Sequence, residues 1–314
     1  MHRHLQDRDR KNNYTILAEN SYLDGNKEKA IEFYNKSLQF EGDRDEDIET
    51  LYDLAIIYDE LDIPLKALRT YRRIIQLDSG QAGAYYGMAT MHERLGEDER
   101  ALEYYFKAVG IDPEYDRAYF YIANIYDEMG NEEKAIHYYG KVIDIKPDDH
   151  IAYNNLGSIY EEMGDYSRAY NMISRSIELE PNYYKALFNM GVIYKRLGNN
   201  EKAMEYYDRS LENEKYSDSY LNKSAIYIEE DRFEECVEVL TEGIRYNPYA
   251  EYLYYNRACC YSRLNMVDSA IEDLRKSILI YPGILDMAAD DEDFNNIRKD
   301  QRFLALFNRD EAFD

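Results

Sequence analysis

Apolar positions recur along the chain at helical spacing, in short blocks that never lengthen. Between Asp116 and Asp149, Tyr119, Ile122, Ala123 and Tyr126 mark one apolar face, and Ala135, Ile136, Tyr139, Val142 and Ile143 mark a second. Residues three and four apart share a helix face, so each block predicts one amphipathic helix. Gly130-Asn131 ends the first, because glycine accepts the left-handed backbone of a C-terminal cap. Pro147 stops the second, since proline has no N–H to extend the ladder. Small Ala135 lies where the two helices come closest, and a larger side chain there would push them apart. Such a helix pair cannot bury its apolar face alone and needs a neighbour on each side.

The same punctuation returns with a fixed period. Pro113, Pro147 and Pro181 stand 34 apart, as do Pro248 and Pro282, and the gap of 67 from Pro181 to Pro248 is two periods less one residue. Ala67, Ala101, Ala135, Ala169 and Ala203 keep the beat, with Cys236 and Ala270 completing the row, and so do Gly96, Gly130, Gly164 and Gly198. The register gives eight units: 11–44, 48–81, 82–115, 116–149, 150–183, 184–216, 217–250 and 251–284. Ala30 stands 37 before Ala67, so extra residues separate the first two units, and the acidic run Glu41–Asp47 reads as a solvated loop there. Residues 1–10 read as a flexible N-terminal arm. The period breaks over 285–314, where Phe294, Ile297, Phe303, Leu304, Leu306 and Phe307 predict a segment capping the open end of the eighth unit.

This period, the helix–turn–helix pattern and segments such as Ala152-Tyr-Asn-Asn-Leu-Gly-Ser-Ile-Tyr-Glu-Glu-Met-Gly-Asp165 resemble the tetratricopeptide repeat family across residues 11–284. The resemblance implies an all-α, right-handed superhelical solenoid of about eight helix pairs with a C-terminal capping helical segment. It also implies that the first helix of each pair lines a concave groove. One departure is general. The family's frequent tryptophan is tyrosine here at Tyr14, Tyr85, Tyr119, Tyr153, Tyr220 and Tyr254, or leucine at Leu51 and Leu187. The chain has no tryptophan and 35 tyrosines, whose hydroxyls must each reach water or an acceptor.

Charge narrows the choice of partner. Lysine and arginine number 38 against 63 aspartates and glutamates, a net charge of −25. That field repels phosphate backbones and anionic lipid, which argues against nucleic acid and membrane and favours a partner with a basic segment. No apolar run approaches the roughly 18 residues of a membrane span. The charged start is unlike a signal peptide, so a cytoplasmic location is expected.

Catalytic chemistry finds no foothold. Cys236, Cys259 and Cys260 form no Cys-x-x-Cys pair and read as small buried side chains. His92-Glu-Arg-Leu-Gly lacks the second histidine of a zinc helix, and His2-x-His4 sits in the expected arm. Asp290–Asp293 lacks the ligand alternation of a calcium loop. A non-enzymatic protein-binding scaffold, with no cofactor and no metal, is the expectation.

Three features of the first helices mark a candidate groove. Asn155, Asn189, Asn222 and Asn256 repeat at one position of the last four units, where earlier units hold Asp53, Gly87 and Tyr121. Asparagine is a poor helix former, and its amide both donates and accepts, matching an extended main chain. The row resembles the asparagine ladder of O-linked N-acetylglucosamine transferases, which implies a grip on peptide backbone. Beside it lie the aromatics Tyr52, Tyr86, Phe120, Phe188 and Tyr255, which are anchors if exposed and packing if buried between units. Acidic residues at the helix ends, among them Asp59, Glu60, Glu93, Asp127, Glu128, Glu161, Glu162 and Glu229, surround one basic island of Lys185, Lys195 and Arg196.

That island resembles in part the carboxylate clamp of co-chaperone tetratricopeptide domains. Asn124, Asn155 and Lys185 match the clamp, whereas Phe120 and Asn189 replace two of its cations. The leading expectation is therefore a scaffold binding an extended basic peptide in the groove. Capture of a C-terminal carboxylate, or service as a docking or regulatory subunit of a separate enzyme, are the alternatives.

Overall fold

The computed structural model describes residues 2–307, with side chains from residue 7; Met1, the side chains of His2 and His4, and the end of the expected cap, 308–314, lie outside the described residues. Among the described residues the chain is helical without a strand, and no helix is long and apolar enough to cross a membrane. It divides into two compact units, 1–147 and 148–314.

Four helix pairs build the first unit: α1 (His2–Leu23) with α2 (Lys27–Ser37), α3 (Arg44–Glu60) with α4 (Pro64–Leu77), α5 (Ala82–Arg94) with α6 (Asp98–Ile111), and α7 (Asp116–Glu128) with α8 (Glu132–Ile145). Four more build the second: α9 (His150–Glu162) with α10 (Tyr166–Leu179), α11 (Tyr184–Arg196) with α12 (Asn200–Asn213), α13 (Ser217–Glu229) with α14 (Phe233–Tyr246), and α15 (Glu251–Arg263) with α16 (Val267–Ile280). After these come α17 (Ile284–Asp290), a 3₁₀ turn (Glu292–Phe294) and α18 (Gln301–Ala305). Within each unit every helix of these pairs packs on the next, which is the nearest-neighbour arrangement of a solenoid.

The turn inside each pair follows from local chemistry. Gly130 takes φ +70, Asn131 N–H reaches back to the Tyr126 carbonyl at 2.8 Å, and the Asn131 side chain then accepts from Lys134 N–H to start the next helix. Asn26, Asp165 and Asn199 cap their second helices in the same way. The periodic row of Ala30, Ala67, Ala101, Ala135, Ala169, Ala203, Cys236 and Ala270 is 0% exposed, so the small side chains sit at the helix crossings as their volume requires.

A second periodic device escaped the sequence reading. Buried Ser176, Ser210 and Ser277 each donate to a carbonyl in the first turn of their own pair, His150 at 2.7 Å, Tyr184 at 3.0 Å and Glu251 at 2.8 Å. Each bond ties the end of a second helix to the start of the first.

The ends differ from expectation in three places. The backbone is helical from His2 where a flexible arm was expected over 1–10, because no glycine or proline interrupts the run before Gly25. Lys11, only 1% exposed, lies inside that helix and pairs with Asp47. The expected acidic loop is shorter: Asp43 caps α3 in a capping box with Glu46, so residues 44–47 form a first turn whose carboxylates suit the positive end of the helix dipole. In the C-terminal segment Phe294, Ile297, Phe303 and Leu306 bury against Tyr255, Cys259, Leu274 and Ile278 and close the last pair, but Leu304 is 52% exposed and faces solvent.

Candidate binding surface on the first helices

First helices of neighbouring pairs touch directly in the second unit, α9 with α11 and α13 with α15. All four ladder asparagines lie on these helices, half-buried. The structure sorts them into two kinds. Asn189 donates through Nδ2 to Asn154 Oδ1 at 3.0 Å, and Asn154 in turn donates to Asn155 Oδ1 at 3.2 Å. Asn154 is 3% exposed, so this is a fixed amide relay that joins two adjacent pairs. Asn222 and Asn256 instead donate to carbonyls one turn back in their own helices, Asp218 at 3.0 Å and Tyr252 at 2.7 Å. One amide N–H is spent on the helix backbone; the oxygen and the second N–H have no hydrogen-bond partner among the described residues. Tyr252 OH donates to Asp218 Oδ1 at 3.0 Å, which locks these two turns together.

Asn154 was missed, although a signal was present. It occupies the column that holds Tyr52, Tyr86, Phe120, Phe188 and Tyr255 in other units, and a buried polar residue in an aromatic column needs a hydrogen-bonding reason.

In the first unit the ladder position answers to the second helix before it. Asp53 accepts from Tyr34 OH at 3.1 Å. A Cβ on Gly87 would fall 2.3 Å from the Tyr71 ring, so nothing larger fits. Tyr121 stacks on Tyr105 at 5.7 Å. At Gly87 the Tyr71 ring leaves no room for an asparagine, whereas Asp53 keeps a side chain of that size and uses it on Tyr34. Two hydroxyls of this tyrosine column find acceptors, Tyr105 donating to Glu93 at 2.8 Å and Tyr139 to Asn124, whereas the buried Tyr207 hydroxyl has none among the described residues. Asn124 therefore serves a tyrosine within its own pair. Burial raises the Glu93 carboxyl above its ordinary value, against the opposing hydrogen bond from Tyr105.

The aromatic column is packed on one side and wet on the other. Tyr52 meets Tyr71 at 6.4 Å, Tyr86 stacks on Tyr115 at 5.2 Å, and Phe120 meets Tyr139 edge-on at 5.8 Å. Phe188 meets Tyr216 at 5.2 Å, and Tyr255 meets Phe294 of the cap at 5.7 Å while donating to Asp291. All but buried Tyr255 keep partial exposure. Burial pushes the Tyr52 and Tyr71 hydroxyls up to about 12.

The basic island is a different object from the one the sequence suggested. Arg196 pairs with Glu161 at 3.0 Å and Lys195 pairs with Glu229, each reaching a neighbouring first helix. Lys185 alone of the three stands exposed without an ion pair among the described residues. Charges 34 or 35 residues apart thus neutralise one another along the stack, as Arg94 and Asp59 also do at 2.9 Å in the first unit. Sequence reading saw the charges but not their pairing, because their partners lie a whole period away.

Solved structures of known proteins share this architecture. A tetratricopeptide repeat protein from Parabacteroides merdae is 15% identical over 79% of this chain and 98% of that one, with a TM-score of 0.62. Pseudomonas aeruginosa pilF is 19% identical over 65% and 94%, with a TM-score of 0.57. The Cut9–Hcn1 hetero-tetramer of APC/C is 15% identical over 92% of this chain and 53% of that one, with a TM-score of 0.60. At these identities the likeness establishes the helix-pair fold. Comparison with curated proteins gives no match. Family models described as tetratricopeptide repeat match residues 82–115, 116–149, 148–215, 217–249 and 252–283, together more than half of the chain. With eight helix pairs in the expected register, the chain belongs to the tetratricopeptide repeat family.

Proposed function

We propose that this protein is an interaction scaffold that holds an extended basic segment of a partner along the first helices of its second unit. The observation that carries this reading is the orientation of Asn222 and Asn256, each anchored to its own helix by one N–H and retaining the rest of its amide for a ligand's main chain. Asn155 and Asn189 continue the row, held in place through Asn154. Phe188 offers a partly exposed ring beside them. The net charge of −25 draws a basic segment in and speeds its encounter.

Capture of a C-terminal carboxylate by Lys185, Lys195 and Arg196 fits less well, because two of the three cations already hold Glu229 and Glu161. A carboxylate ligand would have to displace both.

Binding of a labelled synthetic peptide alternating lysine and serine, followed by fluorescence anisotropy, tests the reading. Each lost hydrogen bond is worth about 1 kcal/mol, so the double variant Asn222→Ala/Asn256→Ala binds roughly tenfold or more weakly. Added salt weakens the wild type as well. Unchanged affinity in the double variant removes the ladder from the account.

A further inference from the structure

One surface of the first unit runs against the charge of the whole chain. Helix α4, Pro-Leu-Lys-Ala-Leu-Arg-Thr-Tyr-Arg-Arg-Ile-Ile-Gln-Leu, carries four cations and no acid. Ala67, Leu68, Thr70, Tyr71 and Ile74 bury its inner face, which leaves Lys66, Arg69, Arg72 and Arg73 exposed on the outer one. None of the four forms an ion pair among the described residues; Lys66 rests over the Tyr58 ring at 5.3 Å. Other second helices behave differently. On α2 Lys36 pairs with Glu32, and on α6 Lys107 pairs with Glu103, each within its own helix.

Four uncompensated cations on one face raise the local potential without local relief, a cost that an incoming anion removes. Lys66, Arg69 and Arg73 fall at i, i+3 and i+7, a line of about 10 Å along the helix. Arg72 widens it by one row. The line is closed at its two ends by exposed Leu65 and Leu77, 61% and 39% exposed and about 18 Å apart along the axis.

We propose that the outer face of α4 is a docking surface for an acidic segment of another protein, one whose carboxylates are flanked by apolar side chains at both ends. The width of the stripe selects a polypeptide over a bilayer or a nucleic-acid duplex. The second helices of the adjacent pairs, α2 and α6, carry mixed charge: exposed Glu28 and Glu32 alternate with lysines on α2, and exposed Glu99 and Glu103 stand beside Arg100 and Lys107 on α6. A single helix or strand fits within the stripe, whereas a broad polyanion meets those carboxylates too. Arginine supplies three of the four cations, and its planar fork pairs with carboxylates in bidentate fashion. This surface is separate from the asparagine row and asks for the opposite charge in its partner.

The test uses the full chain and three labelled probes: an acidic peptide of glutamate flanked by leucine, phosphatidylserine vesicles, and duplex DNA. The stripe variant is Arg69→Gln/Arg72→Gln/Arg73→Gln. The control is Lys141→Gln/Arg275→Gln/Lys276→Gln, which removes the same charge from exposed positions elsewhere. Circular dichroism verifies folding of both, as expected for surface changes. The wild type is expected to bind the acidic peptide, the stripe variant at least tenfold more weakly, and the control within twofold of wild type. Equal weakening in both variants reduces the effect to net charge and overturns the proposal. Absence of peptide binding by the wild type, or binding of vesicles or DNA in preference to the peptide, overturns it as well.

Discussion

Replacing Gly191 by alanine probes the closeness of the helix pair that supports the ladder. A Cβ at Gly191 would lie 2.5 Å from Cε1 and 2.7 Å from Cδ1 of Tyr207. That ring is 0% exposed and is held by Phe188 at 5.9 Å, so it has little room to retreat. Overpacking of this kind costs about 1–3 kcal/mol. Alanine recovers about 1 kcal/mol of helix propensity over glycine, which leaves a net loss of about 1 kcal/mol. Gly140 in α8 is the matched contrast, because a Cβ there meets nothing within 4 Å. Gly140→Ala therefore gains about 0.5–1 kcal/mol. Urea unfolding followed by circular dichroism reads both, with the midpoint falling for Gly191→Ala and rising for Gly140→Ala. A midpoint that rises equally in both would refute the close approach of α11 and α12.

Two further predictions concern buried chemistry. Burial raises the Glu93 carboxyl, so the folded chain binds that proton more tightly than the unfolded chain. The contribution of Glu93 to stability is thus fully present below its unfolded pKa and declines as pH rises through the folded value. Gln still accepts the Tyr105 hydrogen bond without the charge, so Glu93→Gln raises the melting temperature at neutral pH, and the gain shrinks on acidification. A pH series of thermal melts in which the gain is constant would contradict this. Cys236, Cys259 and Cys260 are buried. Burial pushes the Cys259 thiol far up, and contact with Cys236 followed by burial does the same to Cys260. Thiolate is the reactive form, so an aromatic disulfide reagent labels none of the three until denaturant is added. Rapid labelling of the native chain would contradict this.

The helix pairs were legible because they rest on punctuation that acts locally. Pro147 cannot continue a helix, and Gly130 tolerates its turn whatever surrounds it. The small row around Ala135 was legible for a related reason, since a period fixes which positions must meet. What the sequence hid was pairing across a period. Nothing local says that Arg196 reaches Glu161, or that Asn189 reaches Asn154, so Lys195 and Arg196 looked available when both were already paired. Lys11 shows the same blindness at the N-terminus. The charged stretch 1–10, read as a solvated arm, runs as helix into Lys11, the first residue of the expected array, which is buried because Asp47, 36 residues on, supplies the countercharge. Ser176, Ser210 and Ser277 were passed over because a lone hydroxyl gives no pattern until its carbonyl partner is seen.

The central claim is that a partner's segment lies along the first helices, and site-specific photo-crosslinking tests it most directly. A benzophenone side chain is placed at Asn222, on first helix α13, and separately at exposed Glu238, on second helix α14. With the lysine–serine peptide present, the account predicts efficient crosslinking from position 222 and background from position 238. Crosslinking from 238 with none from 222 would place the ligand on the opposite helices and contradict the account.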